Sequence, residues 1–127
     1  MLRAGRELAA VILMCVTGLA SAQAQMLTAR YAHTATLLHD GRVLIYGGLG
    51  AGDGFVIGSE IFDPTTGQFL HGPRGHKCRA FHTATLLPDG SVLIAGGFIL
   101  PYSTSCTAEV FDGRRFVFLT SRMSAPR

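Results

Sequence analysis

The chain has no tryptophan, and only 15% of its 127 residues are charged. Basic runs are missing, since no stretch of cations exceeds Arg114-Arg115. A nucleic-acid footprint needs Lys and Arg clustered on one face, so that class of partner is excluded. After the first 24 residues no two histidines stand two or four apart, the spacings that would place a zinc-binding pair on one strand or helix. No Gly-x-Ser-x-Gly elbow occurs, and Gly47-Gly48-Leu49-Gly50-Ala51-Gly52 lacks the Lys-Ser/Thr of a phosphate loop. These absences lead to the expectation of no catalytic residue, no cofactor and no metal. Cysteine is scarce, with Cys15, Cys78 and Cys106 alone.

A long hydrophobic run occurs once, at the N-terminus. Arg3 and Arg6 precede an apolar stretch from Leu8 to Ala20, and Ala20-Ser21-Ala22 and Ala22-Gln23-Ala24 follow it. Charged, apolar and small-residue regions in that order form a secretory signal. The apolar run falls short of the roughly 20 residues that cross a bilayer. Residues 1–24 are therefore expected to be a cleaved signal helix. The remainder would be secreted or periplasmic, with no membrane contact after cleavage. Cys15 leaves with the signal. Cys78 and Cys106 remain as an even pair in an oxidising compartment, a possible disulfide if their Cα atoms approach within about 7 Å.

What the chain has in place of motifs is a repeat. His33-Thr34-Ala35-Thr36-Leu37-Leu38 returns as His82-Thr83-Ala84-Thr85-Leu86-Leu87, 49 residues later. Aligned from Arg30 and Arg79, 14 of 19 positions are identical. Self-similarity of this kind outranks every other signal about fold. Repeat 1 spans residues 30–75 and repeat 2 residues 79–119.

Each repeat reads as four strands. In repeat 1 these are Tyr31 to Leu38, Val43 to Tyr46, Ser59 to Asp63 and Gln68 to Leu70. In repeat 2 they are Phe81 to Leu87, Val92 to Ala95, Ala108 to Asp112 and Arg115 to Leu119. Asp40-Gly41, Asp89-Gly90 and Asp112-Gly113 are hairpin turns, and Asp63-Pro64-Thr65-Thr66-Gly67 is a longer one. The second strand is apolar on both sides instead of alternating, as a strand covered above and below would be. Gly47-Gly48 and Gly96-Gly97 end these strands and mark a close approach of backbones.

The recurring polar residues are read as structural. His33 and His82 occupy equivalent positions, whereas an active site is usually unique. Each ring is expected to bond backbone and pack between repeats. Arg30, Arg79 and Arg127 precede first strands, and Glu60 and Glu109 recur in third strands. An ion pair between repeats, such as Glu60 with Arg79, is expected. Residues 120–127, ending in Arg127, look like the lead-in to a further repeat.

These residues resemble the kelch repeat of exported bacterial proteins and of the propeller domain of galactose-oxidase-like enzymes. The resemblance rests on the Gly-Gly pairs, on the Glu-x-Phe-Asp runs at Glu60 and Glu109, and on Phe69 and Phe116 where the family usually has Trp. It implies an all-β fold, with two four-stranded antiparallel blades of an incomplete β-propeller behind the signal helix. It implies a non-catalytic scaffold that binds a protein or a carbohydrate, through loops such as Leu49 to Gly58 and Ile99 to Ser105. A fragment of a secreted galactose-oxidase-like enzyme and a nonfunctional truncated remnant are the alternatives. Two blades leave their outer faces bare, so further blades or self-association are expected.

Overall fold

A computed structural model describes residues 24–101 and 103–127. The expected signal, residues 1–24, lies outside the described residues except for Ala24. The described chain is all-β and antiparallel. Its strands are β1 (Thr34–Leu37), β2 (Val43–Tyr46), β3 (Ser59–Asp63), β4 (Gln68–His71), β5 (Arg79–Ala80), β6 (Thr83–Leu86), β7 (Val92–Ala95), β8 (Phe98–Ile99), β9 (Ser103–Thr104), β10 (Ala108–Phe111) and β11 (Phe116–Phe118). One 3-10 turn covers Ala51–Asp53.

Repeat 1 forms a four-stranded sheet in the order β1-β2-β3-β4. Repeat 2 forms a second sheet of the same topology, β6-β7-β10-β11. Asp side chains close the turns as the sequence predicts. Asp40 accepts from Arg42 N, and Asp89 accepts from Ser91 N. The first strands are shorter than expected, because Ala32 and Phe81 break the extended run with φ of 55° each.

A third sheet, β5-β8-β9, is absent from the sequence-based reading. It has a counterpart in repeat 1, where Tyr31 bridges Leu49 and Leu49 bridges Phe55. Both sets of pairings link the segment before a first strand to the excursion after a Gly-Gly pair. Two-residue strands carry too little pattern for the sequence to reveal them.

Directly opposed residues of an antiparallel pair share a face. Register therefore sorts each sheet into two faces. In the first sheet one face carries Thr36, Leu44 and Ile61 together with Thr34 and Tyr46. The other carries Leu37, Val43, Phe62 and Phe69. In the second sheet the face bearing Leu86, Val92, Phe111 and Phe116 packs on Leu44, Tyr46 and Ile61 to make the core. Burying each such side chain stabilises the fold by about 1.5–3 kcal/mol. The Tyr46 ring lies 4.6 Å from that of Phe116.

The inner strands differ accordingly. Leu44, Ile45 and Tyr46 of β2 are all buried, whereas β7 alternates, with Val92 and Ile94 fully buried and Leu93 and Ala95 half-buried. The second face of β7 meets no third sheet among the described residues.

Candidate functional site

The repeated polar residues are used up in holding the sheets. Arg30 Nη2 donates to Glu60 Oε1 at 2.6 Å, and Arg79 Nε donates to Glu109 Oε1 at 3.2 Å. Both pairs are almost wholly buried. This corrects the expected pairing of Glu60 with Arg79: each pair is closed inside its own repeat. The cause is the lead-in segment, which folds back along its own third strand, so that Leu27 N and Thr28 N also donate to Glu60 and His76 N donates to Glu109. The guanidinium groups finish on equivalent carbonyls, Gly47 and Gly58 in repeat 1 and Gly96 and Thr107 in repeat 2.

The junction between repeats rests on other residues. The Tyr46 hydroxyl donates to Glu109 Oε1 at 2.6 Å, with the Lys77 carbonyl oxygen also 2.8 Å from Oη. Burial, reinforced by the bond to Glu109, pushes the Tyr46 phenol far above its ordinary pKa. His82 Nε2 pairs with Thr34 Oγ1 at 2.8 Å, so its partner is a side chain of the other repeat and not the expected backbone. Burial lowers the His82 pKa to about 4, helped by the positive Arg79 and by His33. His33, its equivalent, is half-buried on the open side of the first sheet. Nδ1 of both rings is buried without a hydrogen-bond partner.

Gly47 has φ of +65°, and a Cβ there would collide with the Arg79 carbonyl and lie 2.8 Å from His82 Cε1. Its neighbour Gly48 donates N–H to that same carbonyl at 2.9 Å. Gly97 N donates likewise to the Arg127 carbonyl at 2.6 Å, so the C-terminal residue docks on repeat 2 as Arg79 docks on repeat 1. Cys78 and Cys106 are half-buried and free. Among the described residues no three His, Cys, Asp or Glu side chains converge to hold a metal ion, and no helix is long and apolar enough to cross a membrane.

One place on the surface is built differently. A groove of about 310 Å³ opens where the two repeats meet, walled by Tyr31, Leu49, Asp53 and Phe55 of repeat 1 and by Phe81 and Phe98 of repeat 2. Phe81, Tyr31 and Phe98 are 62%, 46% and 44% exposed. Phe81 and Phe98 meet edge to face at 6.1 Å. Tyr31 Oη donates to Asp53 Oδ1, and that bond raises the Tyr31 phenol pKa.

The backbone of Phe81 adopts a left-handed conformation, which a bulky residue occupies only when its surroundings impose it. Here the constraint is a bond across the repeats, Phe81 N to the Ala32 carbonyl at 3.0 Å. The strained conformation carries an apolar ring on the surface instead of in the core. The expected loop Leu49 to Gly58 does reach this site, through Leu49, Asp53 and Phe55. No described residue of Ile99–Ser105 lines it.

Reasoning from repetition alone passed over Tyr31 and Phe81. The signal that would have found them is the opposite one, since Tyr31/Ala80 and Ala32/Phe81 are two of the five positions at which the 19-residue cores differ. Neither a scan against protein-family models nor a search of curated proteins finds a match for this chain.

Proposed function

We propose that this chain is a non-catalytic, kelch-type propeller segment, exported from the cell, whose inter-repeat groove binds a carbohydrate. The observation that carries the reading is the set of exposed aromatic rings, Tyr31, Phe81 and Phe98, around one groove beside an acidic acceptor. Exposed apolar patches mark interaction sites, and ligand grooves combine apolar walls with a few oriented polar groups. A pyranose ring presents C–H bonds on one face, which suit the electron-rich face of an aromatic ring. Its rim of hydroxyls would donate to Asp53 and exchange hydrogen bonds with Tyr31. The use of Arg30, Arg79, Glu60, Glu109 and His82 in fixed internal bonds supports a scaffold and leaves those groups unsuited to acid–base chemistry.

A glycan array followed by titration calorimetry tests this. The folded chain is expected to bind an oligosaccharide, and Phe81→Ala and Phe98→Ala are each expected to weaken that binding at least about tenfold, the equivalent of 1.4 kcal/mol. A folded chain that binds no glycan, or variants that bind as the parent does, would refute the assignment.

A further inference from the structure

The contact between the two sheets joins unlike faces. The first sheet offers Leu44, Tyr46 and Ile61, and the second answers with Val92, Phe111 and Phe116 from its opposite face. Each sheet therefore keeps one face open, and the two open faces are not alike. The first sheet leaves open Leu37, Val43, Phe62 and Phe69, the counterparts of Leu86, Val92, Phe111 and Phe116. The second leaves open Thr83, Thr85, Leu93, Ala95, Val110 and Val117, the counterparts of the face that receives them. Leu37 is 63% exposed and Val117 41% exposed. One molecule thus carries both halves of a contact that it already makes internally.

We propose that copies of this chain associate head to tail, the open face of the first sheet in one copy docking on the open face of the second sheet in the next. The occupant is a second copy because the complementarity is internal to the chain. The tilted ring pair Phe62–Phe69, at 4.8 Å, reproduces Phe111–Phe116, at 5.1 Å. Thr83 and His33 stand where Thr34 and His82 form their bond at the internal junction. A contact of unlike faces propagates head to tail and ends only where the rotation between copies closes a ring.

Two features make this contact weaker than the internal one. Ala95 stands where Tyr46 stands, so the second sheet has no hydroxyl to offer. Glu60, the counterpart of Glu109, is already bonded by Leu27 N, Thr28 N and Arg30. The C-terminal tail also occupies a shared position. Arg127 holds Gly97 N where the Arg30 carbonyl of an incoming copy would sit, by analogy with Arg79 on Gly48. The tail is held by Met123 N to Cys106 O and Arg127 N to Ser105 O in addition, so docking exchanges few bonds. The inference does not depend on what the groove binds.

Sedimentation velocity on the purified chain is the test. Masses above 13.5 kDa that rise with concentration are expected. Leu37→Glu and Thr83→Glu each place a charge on one open face, at exposed positions where the fold survives, Thr83 being the counterpart of the Thr34 that bonds His82 at the internal junction, and each alone is expected to run as a monomer. Mixed, they are expected to form a complex of one copy of each and nothing larger, because each variant keeps one intact face. Leu100→Glu, exposed on the β8–β9 turn and off both faces, is expected to associate as the parent does. Deleting residues 123–127 is expected to move association to about tenfold lower concentration. A parent chain that stays monomeric at every concentration overturns the proposal. So does a mixture of the two variants that stays monomeric, or oligomers that both variants leave unchanged.

Discussion

Just ahead of its first strand, repeat 1 reads Tyr31-Ala32, and repeat 2 reads Ala80-Phe81. Around these two pairs the chain is nearly the same: Arg before them, His-Thr-Ala-Thr after them. In both repeats the second residue of the pair has φ of 55°, so the backbone path is shared. Only the side chains differ, and they put a phenol on one wall of the groove and a phenyl ring on the other. A second difference follows the same logic. Tyr46 seals the internal junction through Glu109, and Ala95 leaves the equivalent position bare on the open face. The identical Arg and Glu do the same work inside each repeat. Divergence marks where one repeat meets something the other does not.

The largest expected effect breaks the likeness of the two ion pairs. Removing one partner of a buried pair leaves an uncompensated charge and costs about 3–5 kcal/mol. Arg79→Ala is expected at the top of that range and Arg30→Ala at the bottom, by urea denaturation. Glu109 also anchors Tyr46 across the junction, whereas Glu60 bonds its own lead-in alone. Equal losses would mean that each pair serves only its own repeat.

Acid should act next, through the junction. The His82 pKa lies near 4 when folded, against an ordinary value of 6.5. The folded state therefore resists a proton that the unfolded chain accepts. The resulting stability is present in full above pH 6.5 and is lost as pH falls toward 4, by up to about 3 kcal/mol. Thermal melts across that window are expected to show the decline, and His82→Gln is expected to flatten it. A parent chain equally stable at both ends of the window would show that His82 is not held neutral.

The smallest expected effect sharpens the comparison of Ala32 with Phe81. Glycine relieves a left-handed conformation that costs about 1–2 kcal/mol but adds unfolded-state entropy. Ala32→Gly and Phe81→Gly are both expected to stabilise the fold by about 0.5 kcal/mol. Only Phe81→Gly is expected to lose ligand binding. If Phe81→Gly instead destabilises the chain, the ring packs for structure and the groove reading weakens.

Much of the fold was open to a reader of the sequence. The bounds of β2, β3 and β7 follow from β-branched and apolar runs closed by Gly or Asp turns, and the turns at Asp40, Asp63 and Asp89 from residues that cap their own backbone. Repetition identified Arg, Glu and His as structural, but it could not say which Arg meets which Glu. That choice depends on the lead-in folding back on its own sheet, a path with no local signature. The small β5-β8-β9 sheet escaped for a related reason, because β5 pairs with a segment about twenty residues further on and all three strands are only two residues long.

By itself the sequence determined that the chain makes two copies of one four-stranded unit, because strand pattern and turn chemistry are local and are written twice. Only the tertiary structure decided how the copies meet. It set which face of each sheet is covered, it directed Tyr46 to Glu109 and His82 to Thr34, and it brought Tyr31, Phe81 and Phe98 to one groove. Those outcomes turn on packing between units, where the two copies differ at a few side chains and geometry selects which of them become neighbours.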